Sequence, residues 1–299
     1  MDRISWFLLL LLSLLWGSSF FLVGIIVKEL PPLTIVFARV SLAFLTLLPI
    51  FWYYGHKFPK TLTSWKPFIG MGLLNNIFPF SLLFFGQTQI TVGLTSIINA
   101  MTPLFTVIVM VSFKEENLTF NRVIGVALGV IGVFILQGFE SGMDNSQTLG
   151  ICLCLGATLS YAFSALWGKK FLNNVPPLKS ATCQLACSSA IIIFFTVIID
   201  QPWILEMPNH EIWISLFSLS FFGTAIAYLI FYKILVTSGA SNVMLVTLLI
   251  PVTAVLLGNI YLNEAIFLQE IIGGSIIGLG LLFIDGRILK SFLRNSNKE

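Results

Sequence analysis

The chain carries one apolar pattern twice, and this duplication limits its fold more than any other feature of the sequence. In the first copy, Pro103 stands inside an apolar run and Glu116 follows thirteen residues later. A shift of 148 residues brings the pattern into register again, with the pairs Pro103/Pro251, Glu116/Glu264, Gly125/Gly273 and Gly132/Gly280. Repeated spacing of this kind indicates a fold built from two similar units.

A second repeated motif extends the duplication to the N-terminal part of the chain. Pro31-Pro32-Leu33 recurs as Pro176-Pro177-Leu178, a shift of 145 residues that also matches Trp16 with Tyr161 and Ser19 with Ser164. Small insertions account for the two different shifts. We therefore expect one unit over residues 1–138, a polar seam from Gly138 to Gln147, a second unit over residues 146–287, and a basic tail over residues 288–299.

The composition places both units in a membrane. Apolar residues make up 57% of the chain and charged residues only 10%, whereas about a quarter of a soluble domain is charged. The apolar residues come in runs of about 20 without charge, the length that crosses the hydrocarbon core. The sequence predicts an all-α polytopic membrane protein.

Ten transmembrane helices fit the apolar runs. The first could resemble a signal peptide because Arg3 precedes it, but it is too long for that and belongs to the repeat. The predicted helices are Ser5–Val27, Thr34–Tyr53, Pro67–Gly86, Thr91–Phe113, Phe120–Gln137, Thr148–Trp167, Leu178–Ile199, Ile212–Tyr232, Ala240–Leu262 and Phe267–Asp285. Five helices per unit is an odd number, so the two repeats enter the membrane from opposite sides. Inverted repeats of this kind are common in secondary transporters.

Lysines and arginines set the predicted orientation. With a cytoplasmic N-terminus, the segments outside the membrane hold Lys28 alone, Arg39 lies inside the second helix, and all other basic residues face the cytoplasm. Both termini are then cytoplasmic, in a cell membrane that would be the inner membrane of a Gram-negative bacterium. The net charge of +3 faces an anionic leaflet, so it requires no nucleic-acid partner.

Several motifs in this order resemble the EamA-type branch of the drug/metabolite transporter superfamily. They are Trp16-Gly17-Ser18-Ser19-Phe20, Pro32 with Arg39, Pro103 with Glu116, and Gly223-Thr224-Ala225 with Ala227-Tyr228. The resemblance runs from Trp6 to about Arg287. It implies a ten-helix fold with a central cavity that exports or exchanges small metabolites without ATP. The second copy departs from the pattern, since Ala162-Phe163-Ser164 replaces Gly17-Ser18-Ser19.

Polar and aromatic residues inside the predicted helices are candidates for the substrate pathway. Thr95, Asn99 and Thr102 share one face of the fourth helix, and polar faces in a bilayer must contact protein or water. The remaining candidates, chosen for helical spacing or position within a helix, are Trp16, Ser19, Asn76, Tyr161, Ser164, Thr224 and Tyr228. The alternative is interhelical hydrogen bonding or aromatic packing, and for Asn76 hydrogen bonding to the backbone group that Pro79 leaves free.

Three further residues are expected to act in gating or in structure. Pro103 and Pro251 weaken the backbone of the fourth and ninth helices. Arg39 lies about 8 Å inside the second helix, where its stem could snorkel to the outer surface or serve binding or gating.

These residues favour a transporter over an enzyme. No metal-binding or phosphate-loop motif occurs, the two histidines lie in loops, and we expect neither a metal nor a cofactor. A cavity of aromatic and uncharged polar groups suits neutral or zwitterionic metabolites, with amino acids as the best candidates. Without a carboxylate at depth, we expect a facilitator or exchanger working outward as a monomer or homodimer. The alternatives are a proton-coupled drug/metabolite exporter and, less favoured, a channel-like protein or receptor.

Overall fold

The computed structural model describes residues 3–137, 145–239, 243 and 245–285, and regular structure within these ranges is helical. Most of the predicted seam, the start of the predicted ninth helix and the tail 288–299 lie outside the described residues.

The helices follow the predicted order along the chain. They are α1 (Arg3–Ile26), α2 (Pro32–Tyr53), α3 (Leu62–Gln87), α4a (Val92–Asn99), α4b (Thr102–Ser112), α5 (Phe120–Gln137), α6 (Asn145–Phe171), α7 (Pro177–Asp200), α8 (His210–Ser238), α9 (Val246–Leu262) and α10 (Leu268–Asp285). Within the described ranges, seven segments are long and apolar enough to cross a membrane, namely α1, α2, α3, α4a with α4b, α6, α7 and α8. The apolar helices α5, α9 and α10 are shorter. The chain is a multi-pass membrane protein.

Two helices contain π-helical turns at equivalent positions of the two repeats. In α3 the turn covers Leu73–Ile77, and in α8 it covers Phe221–Ile226, which matches the shift of 148 residues. Pro79 has no N–H to donate to the carbonyl of Asn75, four residues before it. The wider π-helical turn of α3 covers that carbonyl, where the regular α-helical hydrogen bond cannot form. Asn76 and Thr224 lie in these turns, and the side chain of each forms a hydrogen bond to a neighbouring helix.

The two repeated prolines act differently. Pro103 lies in the first turn of α4b, and the predicted fourth helix is broken at Ala100 and Met101 just before it. Pro251 lies inside α9, which is continuous through it. The weakening predicted at Pro251 therefore leaves α9 unbroken. Pro251 is the sixth residue of α9, past the first-turn positions where proline is tolerated, so its ring removes one backbone hydrogen bond inside the helix.

The helices of one half pack mainly on helices of the other half. Helix α2 packs along α7, and α5 packs along α10. Helix α1 contacts α8 and α9, while α6 contacts α3, α4a and α4b, which is the same arrangement with the halves exchanged. The interface between the halves is therefore the core of the protein.

Candidate functional site

Arg39 is the charged residue at the centre of this interface. It is the eighth residue of α2 and only 7% exposed. Its Nε donates to Thr224 Oγ1 at 2.9 Å, and its Nη2 donates to the Gly223 carbonyl at 3.4 Å. Thr224 lies halfway along the 29-residue helix α8. Of the two alternatives for Arg39, the structure does not show the one in which it snorkels to the outer surface, because the π-helical turn of α8 supplies partners inside the protein.

Aromatic rings surround the Arg39 guanidinium. Its carbon lies 4.0 Å from the centroid of the Phe80 ring and 5.8 Å from that of Phe84. Tyr161 and Tyr228 lie close enough to interact with its charge. Among the described residues, no carboxylate forms an ion pair with Arg39. The cation–π contact contributes about 0.5–2 kcal/mol, which offsets part of the cost of burying the charge. The rest of that cost remains, because no described carboxylate neutralises the guanidinium.

A network of neutral side chains lies one helical turn from Thr224. The Tyr228 hydroxyl donates to Asn76 Oδ1 at 3.0 Å and accepts from Asn75 Nδ2 at 3.1 Å. Asn76 Nδ2 donates to Ser188 Oγ at 2.9 Å, and Ser164 Oγ donates to Asn75 Oδ1 at 3.1 Å. We define the polar cluster as Arg39, Asn75, Asn76, Ser164, Ser188, Thr224 and Tyr228. It joins residues of α2, α3, α6, α7 and α8, so both halves contribute to it.

The two repeats place equivalent residues at the cluster. Asn76 of α3 corresponds to Thr224 of α8 under the shift of 148 residues. Ser164 donates a hydrogen bond to Asn75. The equivalent residues of the other repeat, Ser19 and Gly223, also lie against each other, since a Cβ on Gly223 would collide with Ser19 Oγ. The duplicated sequence thus forms equivalent contacts twice, between α6 and α3 and between α1 and α8.

The structure gathers about half of the predicted site residues. Arg39, Asn76, Ser164, Thr224 and Tyr228 belong to the cluster, and Ser19 and Tyr161 lie beside it. Trp16 lies elsewhere on α1, where its ring packs on Phe231 at 5.6 Å between centroids.

The predicted face of the fourth helix does not join the cluster through hydrogen bonds. Thr95 Oγ1 donates to the Thr91 carbonyl at 2.9 Å, and Thr102 Oγ1 donates to the Asn99 carbonyl at 2.8 Å. The Asn99 amide oxygen is buried and accepts no hydrogen bond from the described residues. Threonine in a membrane helix satisfies its hydroxyl on its own backbone, which explains Thr95 and Thr102 but leaves Asn99 unexplained.

Sequence reasoning missed Gln184, although the repeat register points to it. Gln184 is the eighth residue of α7, as Arg39 is of α2, and the shift of 145 residues matches the two. Gln184 is 0% exposed, and both polar atoms of its side chain lack a hydrogen-bond partner among the described residues. Its backbone carbonyl accepts from Ser188 Oγ at 2.7 Å, so Gln184 lies one helical turn from a residue of the cluster.

Sequence reasoning also missed Glu270, the other charged residue that is buried within the described ranges. Glu270 is the third residue of α10 and is 6% exposed. Glu270 and Pro251 both line a mostly apolar cavity of about 370 Å³ between α4a, α9 and α10. Glu270 also lines a polar cavity of about 460 Å³ at the ends of α3, α4a, α6 and α10. The polar cluster lines neither cavity.

The cluster combines several kinds of chemical group. It offers one cation, neutral donors and acceptors, and aromatic faces, which are the kinds of group that line small-molecule sites in general. Within the described ranges, no group of three or more His, Cys, Asp or Glu residues is arranged to hold a metal ion.

Comparison with known proteins shows the same division of the chain into two halves. The model of the EamA-like transporter family matches residues 3–137 and again residues 148–285. An uncharacterized transporter of Archaeoglobus fulgidus is 26% identical over 94% of this chain and 98% of its own length. A protein of Salmonella typhimurium named "Probable amino-acid metabolite efflux pump" is 26% identical over 94% of each chain.

Two further comparisons concern location and fold. An uncharacterized inner membrane transporter of Escherichia coli is 25% identical over 83% of this chain and 79% of its own. A protein of known crystal structure shares the fold, with a TM-score of 0.66 at 16% identity over 95% of this chain and 97% of that one. Since the family model covers both halves of the sequence, the chain belongs to the EamA-like transporter family.

Proposed function

We propose that the protein is a secondary transporter that moves small neutral or zwitterionic metabolites, namely amino acids, out of the cell. The observation that carries this proposal is the match of both halves to the EamA-like transporter family. The name of the Salmonella typhimurium relative supports amino-acid metabolites as the substrate class. The uncharged network of Asn76, Ser164 and Tyr228 supports a neutral or zwitterionic substrate, because its groups both donate and accept hydrogen bonds.

The proposed mechanism is alternating access between two inverted five-helix repeats. Ten membrane helices would rock about the interface that holds the polar cluster, and each half would open in turn. The exchanged pairing of α1 with α8 and α9, and of α6 with α3 and the two parts of α4, supports this relation. A channel would not require equivalent residues of the two repeats to meet at one place.

Contacts between connecting segments support the proposed division of these segments between the two sides of the membrane. Glu115, after α4b, forms ion pairs with Lys169 and Lys170 at the end of α6, at 3.1 and 3.4 Å. These two segments are both expected on the cytoplasmic side. Asn209 and Glu29, both expected outside, are joined by a hydrogen bond of 3.0 Å.

Two measurements test the function. Deleting or overproducing the protein should raise or lower amino acids inside the cell, with the opposite change in the medium. Purified protein in proteoliposomes should then exchange amino acids across the bilayer when each of a full panel is offered outside and preloaded inside. Unchanged amino-acid levels together with no exchange of any panel member would overturn the proposal. Transport without stoichiometric exchange would favour a channel.

Glu270 favours a second candidate, a proton-coupled exporter. Buried carboxylates are the usual proton sites of membrane transporters, and Glu270 lines both cavities. A facilitator or exchanger should accumulate nothing when only a pH gradient is imposed on proteoliposomes. Accumulation that Glu270→Gln abolishes, while exchange without a gradient persists, would establish the second candidate.

A further inference from the structure

The charge of Arg39 is not required by its position in the fold. The second repeat carries Gln184 at the equivalent place in α7, and Gln184 is fully buried. Both α2 and α7 begin at the second proline of the same motif, Pro32 and Pro177, so the two helices present these residues at the same point. A neutral residue is therefore tolerated at this place in one half, while the other half retains a cation.

Arg39 also keeps part of its hydrogen-bonding capacity unused. Its Nε bond to Thr224 is short, but the Nη2 bond to the Gly223 carbonyl is long at 3.4 Å. Its Nη1 forms no hydrogen bond to the described residues, and no carboxylate among them pairs with it. The two Nη atoms form the edge of a guanidinium that binds a carboxylate through two parallel bonds.

The surroundings hold this edge in a defined direction. The Phe80 ring lies under the guanidinium plane at 4.0 Å, and Thr224 fixes Nε. The Phe84 ring lies 5.8 Å from the guanidinium carbon, and Tyr161 and Tyr228 lie close enough to interact with the charge. Burying a cation without a counterion is unfavourable, and a bound anion would remove much of that cost.

We propose that Arg39 binds the carboxylate of the transported molecule, and that the rings around it select carboxylates with an apolar or aromatic side chain. This proposal rests on the proposed transport of amino acids and adds the recognised group. The carboxylate occupies the Nη edge of Arg39 in place of the weak contact with Gly223. The neutral network of Asn75, Asn76 and Tyr228 then faces the remaining polar groups of the substrate.

The test compares acids with their amides in proteoliposomes. Phenylalanine and leucine are offered together with phenylalaninamide and leucinamide, which keep the amino group and side chain but lack the carboxylate. Vesicles without protein correct for passive entry of the amides. Wild-type protein should exchange the acids about tenfold to a hundredfold faster than the amides, the difference expected for losing a hydrogen-bonded charge partner. Equal rates would overturn the proposal while leaving amino-acid transport intact.

Arg39→Gln is the matched variant, because it places in the first repeat the residue that the second repeat buries. Acid exchange should fall about tenfold or more, with amide exchange nearly unchanged. Arg39→Lys should keep partial preference, since it retains the charge without the two-donor edge. Equal loss of acids and amides in Arg39→Gln, with unchanged melting temperature, would make Arg39 structural. If the variant misfolds, the wild-type ratio of acid to amide decides. Wild-type protein that exchanges none of the full amino-acid panel would overturn the transport function as well.

Discussion

Gly125 of α5 and Gly280 of α10 meet backbone to backbone. A Cβ on Gly125 would lie 2.6 Å from the Gly280 carbonyl oxygen, and a Cβ on Gly280 would lie 2.6 Å from that of Gly125. Their repeat equivalents, Gly273 and Gly132, meet in the same way at 2.8 and 2.9 Å. The two contacts exchange when the halves are exchanged, which is the relation that the proposed inverted repeats would give. Small residues allow this approach between membrane helices.

Gly125→Ala should destabilise the protein by about 1–3 kcal/mol, because the added methyl group meets a backbone oxygen that cannot rotate away. Unfolding in mild detergent, followed by helical circular dichroism, measures the effect. Gly278→Ala, on α10, is the control, since its added methyl group would find its nearest neighbour, Leu248, at 3.9 Å. Equal stability of the two variants would contradict the packing described for α5 and α10.

Glu264→Ala should lower stability by about 0.5–2 kcal/mol, the usual effect of removing a helix cap. Its carboxylate accepts from the Val92 N–H at 2.9 Å and the Gly93 N–H at 3.4 Å, so it caps α4a in the other half rather than the helix that follows it. Glu206→Ala, an exposed carboxylate without a described hydrogen bond, should change little. Indistinguishable melting temperatures would show that the cap contributes nothing.

Tyr228→Phe and Asn76→Ala should be coupled in stability by about 0.6 kcal/mol, the typical size for hydrogen bonds between membrane helices. A double-mutant cycle measures this term by unfolding. Tyr261→Phe is the control, because the Tyr261 side chain is exposed. A coupling energy of zero would mean that the network does not hold α3 to α8.

Asn99→Ala should reduce transport while leaving the protein folded. The Asn99 oxygen already lacks a partner among the described residues, so its removal costs little stability, on the order of 1 kcal/mol or less. Exchange rates and melting temperature are measured together, with Trp16→Ala and Tyr161→Ala tested in the same way. Normal transport by all three variants would remove these residues from the substrate pathway.

Single cysteines added to a cysteine-free variant test the topology. Cysteines near Lys60 and Lys114 should be protected from an impermeant thiol reagent in intact cells, whereas a cysteine near His210 should react. Labelling at both Lys60 and Lys114 would exclude two inverted repeats with cytoplasmic termini.

The helices and the family were predictable from the sequence, since both depend on features that are local or that repeat. Apolar runs of about 20 residues, proline positions and the shifts of 148 and 145 residues are visible without a fold. The register even matches Arg39 with Gln184, although nothing local marks Gln184 as buried.

The neighbours of each polar group were not predictable, because they depend on which helices of the two halves meet. The sequence by itself determined that Arg39 lies inside a membrane helix, and from its depth it left the outer surface within reach. Only the tertiary structure decided that the guanidinium turns inward, because α8 places Thr224 and α3 places Phe80 against it. Thr224 is 185 residues away along the chain, and no local pattern carries information over that separation.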